Sequence, residues 1–200
     1  MAFYTVLPAD SVVPSAINTA RLSLRVPRAG DGALVNTAIR DSFDSLHRWM
    51  PWALRVPTIA ESETFAREAA ARYRTREEVS FLIFGAFDEQ LLGVTGLHTI
   101  DWSVPRFEIG YWLRSSAEGH GYMTEAVRAL TAVCLERVGA MRVEIRCDSR
   151  NERSAAVARR AGYTHEATLR QHARDNEGRL RDTLVFAMLP GHEPGTITAG

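Results

Sequence analysis

Residues 106–138, RFEIGYWLRSSAEGHGYMTEAVRALTAVCLERV, hold a strand, a glycine-bearing loop and a long helix in one run. In Phe107–Leu113 the apolar residues fall on the odd positions, the period of a strand. From Met123 onward, Ala126, Val127, Leu130, Val133, Cys134 and Val138 recur at three- and four-residue steps and share one helix face. Between them lies Glu118-Gly119-His120-Gly121, with two glycines where the helix must start. Backbone N–H groups at such a start have no partner inside the helix, and the helix dipole adds positive potential. The loop therefore suits an anion, typically a phosphate. A plain loop-to-helix turn would look the same.

Working outward, the composition sets bounds. The 200 residues are 46% hydrophobic and 24% charged, the content of one globular domain with short appendages. Lys and Arg number 24, as do Asp and Glu, so no basic excess points to a nucleic-acid partner. Cys134 and Cys147 lack metal-ligand spacing and sit in apolar patterns, as buried thiols of a reducing compartment would. No apolar run approaches a membrane span, and the first residues lack a signal-peptide layout, so a cytoplasmic protein is expected.

In chain order, residues 1–19 read as an N-terminal arm, 20–189 as the domain and 190–200 as a Gly/Pro/Thr-rich flexible tail. A first strand is expected at 21–26, then a helix from Asp31 to about Leu46. The proline-broken loop 47–52 carries Trp49 and Trp52, and a second helix runs from about 60 to 76. Phe81–Phe87 is almost continuously apolar, a strand covered on both faces, and pairs with 91–97 as a hairpin. After the opening stretch come a strand at 141–147 and a helix that Asn151 is suited to cap and Gly162 to end. Two last strands are expected near 163–170 and 183–189. The pattern predicts an α+β domain around a mostly antiparallel sheet.

Four blocks carry a resemblance: Glu108–Leu113, Gly119–Ala126, Asn151-Glu152-Arg153-Ser154 and Ala161-Gly162-Tyr163. In this order and spacing the chain resembles the GCN5-related N-acetyltransferases, and within them the branch that acetylates ribosomal-protein N-termini (the RimJ/RimL type). The resemblance implies the GNAT fold: a central sheet of about six to seven strands flanked by helices, splayed between the fourth and fifth. It implies acetyl-CoA as co-substrate, its pyrophosphate on the backbone of Glu118, Gly119, His120, Gly121, Tyr122 and Met123. Glycine lets the backbone approach the phosphates closely. The pantetheine arm would run along Tyr111, Trp112 and Leu113 like an added strand, touching Asn151. Two positions depart from the general motif: Glu118 stands for Gln or Arg and is expected to point outward, and Met123 stands for Gly or Ala.

Acetyl transfer to an amine needs a neutral amine, a polarised carbonyl and a proton for the departing thiolate. A peptide α-amine, of pKa about 8, has a usable neutral fraction near pH 7, whereas a lysine near 10.4 needs more help. A base can thus act through water. The resemblance places Ser154 near the sulfur, and Ala158 stands where other members carry a catalytic tyrosine. Glu108 and Glu144 are the base candidates; as alternatives, either pairs with a neighbouring arginine. Ala173 removes a base found in some members; His172 beside it, and after it His98 at the end of its strand, are further candidates for that role. Trp49 and Trp52, with Glu108, are the candidates for the acceptor wall, or else pack a helix end.

The expected activity is N-acetylation by direct amine attack, without metal or acyl-cysteine. The acceptor is expected to be a protein N-terminal α-amine. The alternatives are a small amine (amino acid, polyamine or antibiotic) and a non-catalytic CoA-binding sensor. A homodimer fits the family; no membrane partner is expected.

Overall fold

A computed structural model describes residues 12–87 and 90–191. Most of the expected arm and tail lies outside the described residues. The chain forms β1 (Ala16–Asn18), β2 (Leu22–Arg25), α1 (Gly32–Arg40), α2 (Phe43–Trp49), α3 (Ile59–Thr75), β3 (Val79–Gly85), β4 (Leu91–Asp101) and β5 (Arg106–Leu113). After a single 3-10 turn at Ser115–Ala117 follow α4 (Tyr122–Ala132), β6 (Arg142–Asp148), α5 (Glu152–Ala161), β7 (Thr164–Arg174) and β8 (Leu180–Met188). The strands make one sheet in the order β1-β2-β3-β4-β5-β6-β8-β7. All neighbours are antiparallel except β5 and β6.

Two expectations are corrected. Ala16–Asn18, read as arm, pairs with β2 and makes an eighth strand, so the splayed pair is the fifth and sixth rather than the fourth and fifth. The single helix expected from Asp31 to Leu46 is two, interrupted at Asp41-Ser42. Asp and Ser compete for backbone hydrogen bonds and propagate helix poorly. Here tertiary contacts hold the break: Asp41 pairs with Arg114, and Ser42 Oγ accepts from Ser115 N at 2.9 Å. The break thereby anchors the segment leading into the glycine loop.

The sheet is covered on both sides. Phe81 and Ile83 of β3 join the core with Leu130, Val127 and Ala126 of α4. Leu82 and Phe84, of opposite parity, pack with Val35, Ile39 and Leu46 of α1 and α2. That explains the unbroken apolar run in β3, since neither face meets water. The α4 stripe ends in a π-helical segment, Val133–Val138, closed by Gly139 at φ 78°.

The splay has a simple cause in register. β5 and β6 pair only at Arg106–Arg142, Phe107–Val143 and Glu108–Glu144. Beyond Glu108, β5 stays with β4 through Leu113, whereas β6 stays with β8 through Asp148. Residues 109–113 thus present one backbone edge without a strand partner, inside the sheet rather than at its rim.

Candidate active site

The glycine loop follows β5 and its 3-10 turn and leads into α4, which packs against β5 and α5. Gly119 and Gly121 sit at φ 81° and 77°, left-handed conformations that favour glycine. Gly121 is the N-cap of α4 and provides no side-chain acceptor, so the first-turn N–H groups of Tyr122, Met123 and Thr124 receive no side-chain cap. Met123 is buried in the core, which leaves only its backbone to the loop. His120 stacks on Tyr122 with ring centroids 5.6 Å apart, and Arg21 lies over the same Tyr122 ring at 5.0 Å. Arg21 also donates to the His120 carbonyl at 3.0 Å and is held by Glu125. The Glu118 side chain, expected to point outward, is 28% exposed. Its carboxylate is paired with Arg153 in the first turn of α5.

Asn151 caps α5: its Oδ1 accepts from Ser154 N at 3.1 Å, and Gly162 ends the helix at φ 98°. The cap aims Ser154 at β5. There its Oγ donates to the Tyr111 hydroxyl at 3.2 Å, while that hydroxyl donates to the Ser154 carbonyl at 3.0 Å. Burial pushes the Tyr111 hydroxyl pKa up, only partly offset by the Ser154 hydrogen bond, so the group stays a neutral donor. Cys147, on β6, borders the same spot; burial raises its thiol, which stays protonated. Cys134 lies deep in the core, its thiol pushed up to about 12 by burial.

Tyr111, Cys147, Asn151 and Ser154 line a cleft of about 780 Å³ that continues past the splay toward α2. Trp49 and Trp52 both line it, and Trp52 faces Trp112 of β5 at 6.2 Å between ring centroids. The end of α2 is tied down by the β7–β8 turn, where Asn176 Nδ2 donates to the carbonyls of His47 and Met50 at 2.7 and 3.0 Å. A bulge in β7 at Gln171, φ 49°, brings both His172 and Ala173 to the cleft, with His172 Nδ1 3.2 Å from Thr183 Oγ1.

The two acidic candidates separate. Glu144 is buried between Arg142 and Arg146, with hydrogen bonds at 2.6 and 2.8 Å, and does not line the cleft. Burial would raise its carboxyl, but the two guanidinium groups outweigh that and hold it below the ordinary value. Glu108 lines the cleft, 3.6 Å from Arg146 and 3.9 Å from His98 Nε2. It makes no hydrogen bond among the described residues, although its side chain is only 16% exposed. The structure thus brings together Ser154, Asn151, Glu108, Tyr111, Trp112, Trp49 and Trp52, and leaves Glu144 outside.

Sequence reasoning missed the Tyr111 hydroxyl. Its parity assigns the ring to the apolar face, and the ring does pack there. No local pattern reports that the phenol reaches a serine 43 positions away. Ala158 offers no hydroxyl from α5, and a tyrosine from β5 reaches Ser154 instead.

Residues 21–164 match the acetyltransferase (GNAT) domain family. The ribosomal-protein-serine acetyltransferase of Escherichia coli is 29% identical over 127 residues, 62% of this chain and 70% of that protein. YdaF of Bacillus subtilis is 34% identical over 103 residues, 52% of this chain; the match spans 56% of that relative's length. Two solved structures superpose at 24% identity. The RimL ribosomal-protein α-N-acetyltransferase in complex with coenzyme A has a TM-score of 0.82, covering 89% of this chain and 99% of that one. The self-immunity acetyltransferase MccE, in complex with acetyl-CoA and AMP, has a TM-score of 0.81, covering 90% and 98%. The matched stretch takes in the splayed strands β5 and β6, the glycine loop, α4 and α5, and this chain is accordingly a member of the acetyltransferase (GNAT) domain family.

Proposed function

We propose that this protein transfers an acetyl group from acetyl-CoA to the α-amine of a protein N-terminus, an acceptor of the ribosomal-protein type. The observation that carries the proposal is the Ser154 hydroxyl, set by its cap and by Tyr111 at the head of an unpaired strand edge. The two positive-φ glycines and the uncapped start of α4 suit the pyrophosphate. The free edge of β5 at Tyr111, Trp112 and Leu113 suits the amides of the pantetheine arm. Acetyl-CoA supplies an activated thioester; the rest of the chemistry falls to the chain.

Ser154 lines the cleft, and its hydroxyl would turn from Tyr111 to donate a hydrogen bond to the departing sulfur. Glu108, free of hydrogen bonds and facing the cleft, attracts the acceptor's ammonium from the Trp49–Trp52 side. An N-terminal α-amine needs little help to lose its proton at neutral pH, which fits a cleft without a strong base close to the serine. Glu144, locked between two arginines, takes no part. Direct attack needs no enzyme nucleophile, and the buried, protonated Cys147 offers none.

A small amine is the second acceptor considered, because aromatic rings narrow the outer cleft. Thiol release from acetyl-CoA with pooled N-terminal peptides and with small amines separates the two. Turnover on peptides supports the proposal; turnover confined to small amines removes the peptide acceptor. Acetyl-CoA binding without turnover on any amine leaves a sensor.

A further inference from the structure

We propose that His98 is the group that takes the acceptor's proton, and that Glu108 acts through it. This rests on the acetyl-transfer reading above and names a residue for a step left open there. His98 and Glu108 are direct cross-strand partners in the β4–β5 ladder, so both side chains leave the same face of the sheet. The next residue on that face of β5 is Gly110. A Cβ at Gly110 would lie 2.8 Å from His98 Nε2 and 3.0 Å from its Cδ2. The imidazole therefore leans across β5 through the space that glycine leaves, and its ring lines the cleft beside Glu108 and Tyr111.

The ring is held from behind. Its Nδ1 lies 3.2 Å from the hydroxyl of Thr99, a residue at φ 52° beside the bulge that follows His98. A threonine in the left-handed region is strained, and such strain persists where the surroundings enforce it. With Nδ1–H donating to Thr99 Oγ1, Nε2 carries the lone pair toward the cleft. Nε2 lies 3.9 Å from Glu108 Oε1, so a proton taken by the ring comes to face that carboxylate. The other charged or titratable side chains lining the same cleft are Glu61 of α3, Glu78 ahead of β3, Arg146 and Asp148 of β6, His172 of β7 and Arg181 of β8. Arg146 bonds Glu144 and also lies 3.6 Å from Glu108, while Arg55 pairs with Glu61 and Arg72 with Glu78.

The proton balance is complete. Nε2 takes one proton from the acceptor's ammonium and passes it to water, which the half-exposed ring can reach. The freed nitrogen lone pair forms the C–N bond at the thioester carbonyl, and the C–S bond breaks. The second nitrogen proton goes to the departing thiolate, on the Ser154 side of the cleft.

The test compares wild type with His98→Gln and Gly110→Ala across pH. Both variants are expected to bind acetyl-CoA with unchanged Kd by calorimetry. For His98→Gln, kcat/KM is expected to fall on the order of 100-fold near pH 6.5. The deficit should shrink above pH 8.5, where the acceptor is already neutral, and added imidazole should restore part of it. Gly110→Ala should reproduce the deficit in weaker form by pushing the ring aside. Nitrogen NMR of the wild-type protein without ligand should find the hydrogen of neutral His98 on Nδ1. Wild-type kcat/KM in His98→Gln at pH 6.5, an equal loss at every pH without imidazole rescue, or the hydrogen on Nε2 would each overturn the proposal. The peptide acceptor fails separately, by wild-type turnover confined to small amines. The same pH comparison, made with such an amine, has the same two outcomes for His98.

Discussion

Glu118 and Arg153 form an ion pair that ties the glycine loop to the first turn of α5. The pair holds a carboxylate that would otherwise repel a pyrophosphate at the loop. Arg153→Ala is expected to weaken acetyl-CoA binding, and Glu118→Gln in the same chain to restore it. Exposed pairs are worth about 0.2–1 kcal/mol, so the loss in Kd should be at most about fivefold. Calorimetry on the two single variants and the double variant checks this. An undiminished loss in the double variant would mean that Arg153 itself binds the donor.

The Ser154–Tyr111 pair gives a second prediction. Ser154→Ala should lower kcat by about tenfold or more with little change in acetyl-CoA Kd, because the hydroxyl matters most as charge develops on sulfur. Tyr111→Phe should lower kcat less, and cost about 1 kcal/mol of stability through the lost buried hydrogen bond. Since the two act as a unit, the double variant should be scarcely slower than Ser154→Ala alone. Steady-state kinetics with thermal melts separates the two effects.

Glu144→Gln should destabilise without changing the pH profile of kcat/KM. The folded protein holds this carboxyl below its ordinary value of 4.5. Its contribution to stability is therefore present above about pH 4.5 and is lost as the pH falls through the depressed folded value. Removing one partner from a buried pair costs about 3–5 kcal/mol at the fully buried limit, and less here because both arginines are partly exposed. Melting from pH 7 down to pH 3 should show the variant's deficit shrinking toward acid. A deficit unchanged at pH 3 would contradict the pairing.

Trp49→Ala and Trp52→Ala test the acceptor wall. A tryptophan that packs on a bound partner is commonly worth more than 1 kcal/mol, so the acceptor KM should rise about five- to tenfold. The acetyl-CoA KM should stay as in wild type. A rise in both would assign the rings to packing of the α2 end alone.

Much of the candidate site is legible in the sequence, because the residues proposed for its donor side act locally. Asn151, Ser154 and Gly162 act within one helix, and cap chemistry fixes where each points. The glycine loop is likewise a local event, readable from Gly119 and Gly121 before a helical stripe. The acceptor side is not local. His98, Glu108, Arg146 and Glu144 come from three strands, and which acid faces the cleft depends on the register at Glu108–Glu144 and on where that pairing stops. Both glutamates read alike as polar positions of a strand, yet one is enclosed by arginines and the other opens to the cavity. The break at Asp41-Ser42 was hidden for a related reason: the apolar positions run on through it, and the contacts that hold it lie 73 residues away.

The early end of the β5–β6 ladder also bears on how long the protein lasts. Past Glu108, a stretch of β5 edge without a strand partner runs through the middle of the sheet. A donor that fills that stretch binds the native state and not the unfolded chain, which adds about 2.7 kcal/mol at a hundredfold excess over Kd. Against a typical total of about 5–15 kcal/mol, that is a large share. The abundance of the folded protein, and not only its rate of catalysis, would then rise and fall with the acetyl-CoA supply of the cell.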